Sequence, residues 1–156
     1  MLPLWVKIRG WLRGHEGTIG LLLDRGADIE VKEFHNQVLL HIAACGGHEA
    51  TPALLLDRGA DAEANDSSED SPLHLAAWGE DRAATGLLLD RKADIEPMDS
   101  DNQTGLHKAL LHGHGAAIGP PPDRGAQINA RDSNERTALH ISALNGYETA
   151  IGLLLD

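Results

Sequence analysis

Residues 71–77 read Ser-Pro-Leu-His-Leu-Ala-Ala. Ser71 suits a helix N-cap, and Pro72 suits the first helical position, where its missing N–H removes no hydrogen bond. The pattern predicts a short helix through Trp78, a turn at Gly79-Glu80 and a second helix from Asp81 to Asp90 carrying Leu87, Leu88 and Leu89. Upstream, Asp66 to Asp70 is polar and turn-rich and reads as a loop. Downstream, Ala93-Asp94-Ile95-Glu96 reads as an extended lead into the next loop.

The same arrangement recurs. Leu-Leu-Leu-Asp occurs at 21–24, 54–57, 87–90 and 153–156, always at 33 residues or a multiple of it. At 120–123 the chain reads Pro-Pro-Pro-Asp, with the aspartate still in register. Histidines follow the period at His41, His74, His107 and His140, and alanines at Ala27, Ala60, Ala93 and Ala126. Independent residue columns in one register mark a tandem repeat. Two short helices per unit are too small to stand alone in water, so each unit must bury its apolar face on its neighbours.

Ser71-Pro-Leu-His-Leu-Ala-Ala resembles the Thr-Pro-Leu-His-x-Ala signature of the ankyrin repeat. Thr104-Gly-Leu-His-Lys-Ala, Thr137-Ala-Leu-His-Ile-Ser and Val38-Leu-Leu-His-Ile-Ala are nearby variants, and Leu-Leu-Leu-Asp-Arg-Gly-Ala-Asp is similar to the family's second-helix ending. The resemblance implies an all-α, ankyrin-type helix-turn-helix solenoid with projecting β-turn or hairpin loops. It implies a partial, degenerate unit at 1–32, units at 33–65, 66–98 and 99–131, and a truncated unit at 132–156. It also implies first helices lining a concave face, and a structural role for the periodic histidines, bonded to backbone between loop and helix.

Departures from the pattern are informative. Asn36, Glu69, Asn102 and Glu135 stand where the family carries a finger glycine. Asn tolerates positive φ, whereas Glu does so poorly. Gly20, Gly86, Gly119 and Gly152 occupy second-helix positions at a cost of about 1 kcal/mol each relative to Ala. Lys92 replaces the glycine that Gly59 supplies after the preceding second helix. Pro120, Pro121 and Pro122 predict that the second helix of unit 99–131 stops near Gly119. Residues 1–13 hold a helix position with Ile8 in place of the histidine, and the chain stops at Asp156, before the expected Gly-Ala-Asp.

Composition narrows the function. Acidic residues number 24 against 13 basic, a formal net charge of −11. That balance disfavours nucleic acid and anionic membrane and favours a basic partner surface. A lone cysteine, Cys45, excludes an intrachain disulfide and fits a reducing compartment. No apolar run approaches the ~18 residues of a membrane span, and Lys7 and Arg9 interrupt the apolar start where a secretory signal would be uncharged. An intracellular protein, cytoplasmic or nuclear, is expected.

Catalytic and metal chemistry fit poorly. The periodic histidines should lie about one layer, roughly 10 Å, apart, whereas zinc bonds its ligands at about 2 Å. His112-x-His114 supplies only a pair of ligands. His15-Glu16 and His48-Glu49 begin like a zinc-protease motif, but Ile19 and Pro52 take the place of the second histidine. Cys45 near His41 or His48 lacks any oxyanion element, and the glycines belong to repeat columns rather than to a phosphate loop. No enzymatic activity and no cofactor or metal is expected.

Surface columns remain. Cys45, Trp78, Leu111 and Leu144 share one column, which in the family faces the concave groove. They serve either as a stripe of partner anchors, with Trp78 foremost, or as cover for neighbouring helices. Finger positions add Phe34 and His35, then Ser67, Ser68 and Asp70, then Asp101 and Gln103, then Asn134 and Arg136. Asp66, Asp99 and Asp132 form a separate column expected to shape turns. The expected function is a monomeric protein-protein interaction scaffold that binds a partner, with a basic segment in view, on the concave face and fingers. The alternative is a structural spacer or an eroded fragment of a longer array. Replacing Pro120, Pro121 and Pro122 by Leu is predicted to raise the melting temperature by restoring a helix; an unchanged value would place those prolines outside any helix.

Overall fold

The structure, a computed structural model, describes residues 15–46, 49–94, 97–113 and 127–155. The expected break at Pro120–Pro122 and the degenerate segment 1–13 lie outside the described residues. Each helix is only 7 to 9 residues long: α1 Glu16–Asp24, α2 Leu39–Cys45, α3 Ala50–Asp57, α4 Pro72–Trp78, α5 Arg82–Asp90, α6 Gly105–Leu111, α7 Ala138–Asn145 and α8 Glu148–Leu155. A 3-10 turn spans Phe34–Asn36. Helices α2, α4, α6 and α7 pack side by side in one row, and α1, α3 and α5 form a second row behind it. Leu40, Leu55, Leu88, Leu110 and Ile141 are fully buried between these helices. Ala44, Ala76, Ala84, Ala109 and Ala138 are equally inaccessible, so the rows close on small side chains rather than on aromatic rings.

The first-row helices start by one device. Val38, Ser71, Thr104 and Thr137 are extended N-caps. Their backbone N–H groups donate to Nδ1 of His41, His74, His107 and His140 at 3.0–3.3 Å. The hydroxyls of Ser71, Thr104 and Thr137 lie 2.8–3.1 Å from the same nitrogens. Val38 has no hydroxyl, so its helix has only the backbone half of the cap. With Nδ1 accepting, Nε2 carries the hydrogen. It donates to the carbonyl of Asp70 from His41 at 2.9 Å, of Gln103 from His74 at 2.8 Å and of Arg136 from His107 at 3.1 Å. The imidazoles of His41, His74 and His107 therefore tie their own helices to the finger 29 residues further on, in agreement with the structural role that the resemblance implies.

The fingers are turns built on aspartate. One carboxylate oxygen of Asp66 accepts the N–H groups of Ser68 and Asp70; Asp99 accepts from Asp101 and Gln103, and Asp132 from Asn134 and Arg136, at 2.7–3.1 Å. Successive fingers are joined through backbone: Ser67 N–H to the His35 carbonyl, Ser100 N–H to Ser68 and Ser133 N–H to Asp101, at 2.7–3.0 Å. Asn36, Glu69, Asn102 and Glu135 all hold φ of 54–60°. The second-row helices α1 and α3 end at Gly26 and Gly59 with φ of 85° and 86°, and Lys92 takes the same left-handed position after α5 at φ 66°. Ala27, Ala60 and Ala93 then donate back to Leu22, Leu55 and Leu88 at 3.0 Å, closing each helix end.

Glu69 is held left-handed without the freedom of glycine, while Gly86 sits inside α5 with nothing within 4 Å of an added Cβ. Glu69→Gly and Gly86→Ala should each stabilise the chain by about 1 kcal/mol in urea titrations, although they run in opposite chemical directions. Burial holds His41 and His74 below their ordinary value of 6.5, overriding the carbonyl bonds that favour the charged ring. The unfolded chain thus binds more protons below that pH, and stability present above 6.5 is lost as the pH falls. Asp99 and Asp132 sit below the ordinary carboxylate value of 3.8, so their contribution is lost only at more acid pH. The urea midpoint should drop between about pH 7.5 and about pH 5.5, and less so in His74→Gln; equal midpoints at the two pH values would contradict the neutral-histidine bridge.

Candidate partner-binding groove

Between the fingers and the first-row helices lies a groove of about 590 Å³. Phe34, His35, Ser68, Asp70 and Gln103 reach it from the fingers, and Cys45 and Trp78 from the ends of α2 and α4. These sequence-selected residues are thus brought together. Ser67, Asp101, Asn134, Arg136, Leu111 and Leu144 are not. The expected continuous apolar stripe is interrupted for physical reasons. Cys45 is buried at 8% exposure, so it offers little surface. Leu111 turns onto the core formed by Leu106, Leu110 and Ile141. Leu144 is 74% exposed on α7, away from the groove. Beside Trp78 the groove is continued by His112, whose ring meets the indole edge-on at 5.6 Å between centroids. Phe34 stands at the rim, 80% exposed.

The sequence reading missed Lys108. It enters the groove from α6, and its Nζ lies 2.7 Å from Asp99 Oδ2 and 3.0 Å from Asp70 Oδ1. The ammonium thus spans the Asp70 carboxylate, with Oδ2 at 3.3 Å and the buried Oδ1 at 3.0 Å. Burial works against the Lys108 ammonium, but the bonds to Asp99 and Asp70 outweigh it and its pKa lies above the usual value. Asp99 is buried too, yet the Lys108 bond and the N–H groups of Gln103 and Asp101 bring its pKa down. For Asp70 the balance reverses: burial pushes the carboxyl up, and Lys108 does not fully compensate.

The other finger aspartates are served locally. Gln37 donates to Asp66 at 3.1 Å, and Arg136 clasps Asp132 Oδ2 through Nε at 2.9 Å and Nη2 at 2.7 Å. Arg136 is thus largely spent on its own finger. A signal for Lys108 is present in the columns. The residues in register are Ile42, Leu75, Lys108 and Ile141, and those of the column before the caps are Gln37, Asp70, Gln103 and Arg136. One charge replaces an apolar residue, its opposite replaces an amide, and the two meet in the groove.

The groove, the imidazole bridges and the finger ladder give these residues a shape to compare with known families. Family models for ankyrin repeats in three copies match residues 11–99 and 40–119, together well over half of the chain. The chain belongs to the ankyrin repeat family. Ankyrin repeats are generally protein-protein interaction modules and typically non-enzymatic. No curated protein matches the chain. Among the described residues no helix of this ankyrin array is long and apolar enough to cross a membrane.

Proposed function

We propose that this ankyrin array is a monomeric protein-binding scaffold whose partner docks in the groove between the fingers and α2, α4 and α6. The carrying observation is the groove itself, in which Trp78 and the rim residue Phe34 supply aromatic surface beside fixed polar groups. Aromatic anchors in desolvated pockets supply a large share of binding energy at interfaces. Among the described residues, the acidic groove residues Glu33, Asp66 and Asp70 face a single ammonium, Lys108, within a chain of net charge −11. That imbalance favours a partner with a basic segment. In this reading the units run 33–65, 66–98, 99–131 and 132–156 after a partial unit at 1–32, and the remaining fingers, with Ser67, Asp101 and Asn134, flank the docked chain. An intracellular location, cytoplasmic or nuclear, accords with the lone Cys45.

A partner recovered with the full chain and then purified should bind Trp78→Ala about tenfold to a hundredfold more weakly than wild type. Leu144→Ser, on exposed surface outside the groove, should leave binding unchanged. Equal affinity of wild type and Trp78→Ala would rule the groove out as the docking site.

A further inference from the structure

Neighbouring finger joints are closed in different ways. In the first, the Gln37 side chain donates to Asp66 at 3.1 Å. In the next, the equivalent residues are Asp70 and Asp99. A carboxylate has no hydrogen to give another carboxylate, and two like charges repel. Lys108 reaches in from α6 and closes this joint, with Nζ 2.7 Å from Asp99 and 3.0 Å from Asp70. All three side chains are mostly buried.

Stability does not account for this departure from the repeat. Gln37 and Asp66 make the same joint with a neutral donor, and Ile42 and Leu75 fill the Lys108 position with aliphatic carbon. Apolar residues of similar volume are often at least as stabilising as a buried ion pair. Burial pushes the Asp70 carboxyl above its ordinary value in spite of the ammonium beside it. What the departure changes is the groove. Ile42, Leu75 and Lys108 stand in register on α2, α4 and α6, which pack side by side, and all three line it. The floor is therefore aliphatic along α2 and α4 and cationic on α6.

We infer that Lys108 and Asp70 are specificity-determining residues of the groove, requiring a bound protein segment that is apolar over Ile42 and Leu75 and polar where it crosses α6. This rests on the groove being the docking site. An apolar side chain over Lys108 strips water from a charged joint and returns no hydrogen bond. A hydroxyl or amide side chain offers the ammonium an oxygen instead. An acidic side chain gains less, because Asp70 and Asp99 already more than balance the Lys108 charge. The joint thus selects by rejecting the wrong segment.

The test reverts both residues to those of their own columns, Asp70→Gln together with Lys108→Leu. One carboxylate and one ammonium leave together, so the net charge is unchanged, and the new amide can donate to Asp99 as Gln37 does to Asp66. The double variant should melt at or above the wild-type temperature. Both full chains are used to select from a random peptide library displayed on phage, and synthetic peptides are then measured against each. The two peptide sets should share their apolar residues and differ at one position, polar for wild type and apolar for the double variant. Exchanging serine for leucine there should change the preference between the two chains about tenfold or more. A double variant that melts well below wild type makes the pair a requirement of the stack, and identical peptide sets remove it from recognition; either result overturns the inference. Loss of binding in Trp78→Ala alongside identical peptide sets overturns the inference alone and leaves the groove standing. Selected peptides that bind Trp78→Ala as tightly as wild type, or selection of no peptide by folded chain, overturn both.

Discussion

The imidazole bridge is the interaction on which the rest of this molecule depends. Helices of 7 to 9 residues hold no stable conformation alone, so neighbours must be placed to within hydrogen-bond tolerance. Leucine and alanine burial supplies the attraction, but apolar contact is non-directional and tolerates sliding. The ring of His41, His74 or His107 removes that freedom. One nitrogen is fixed by the cap of its own helix, and the other reaches the finger of the next. The bridge requires a neutral ring with its hydrogen on Nε2, and at His41 and His74 burial favours that state. Protonation would add a second donor at Nδ1, where the backbone already donates.

Much of this was legible from the period. A column that repeats every 33 residues occupies one environment repeated, so His41, His74 and His107 had to share a role. The ankyrin signature named the role, and the 29-residue step from each imidazole to the next finger's carbonyl is the geometry behind it. The finger aspartates were likewise readable as turn formers, because a short carboxylate two and four residues ahead of free N–H groups has few other uses. What columns conceal is depth. Cys45, Trp78, Leu111 and Leu144 share a column, yet Cys45 is buried in the groove wall, Trp78 is half-buried in the groove, Leu111 lies on the core and Leu144 is exposed. Exposure in a stack depends on the sizes of the neighbours above and below, which a column does not contain.

Lys108 shows the opposite lesson. Its deviation was visible, since an ammonium stands where Ile42, Leu75 and Ile141 are aliphatic. Its meaning was not, because the partners lie 38 residues back at Asp70 and in the finger of Asp99. Two deviations of opposite sign in separate columns are one event when stacking brings them together. Reading deviations in pairs, at the separation that the stack imposes, would have found the site.

A solenoid can hold such a site because its energetics are local. Each unit answers mainly to its two neighbours, so the strain of Glu69 at positive φ and the charge imbalance at Asp70 stay within a few residues of each other instead of loosening the whole array. The same locality explains why the outer ion pairs, Arg58 with Asp24 and Arg91 with Asp57, repeat while the inner one does not. The outer pairs are half-exposed and worth little each; they fit any unit and change none. The inner pair is buried, so it costs desolvation, which the finger N–H groups on Asp99 help to offset. Repetition therefore marks what the stack needs, and the buried pairing of Lys108 marks where the groove departs from the repeat.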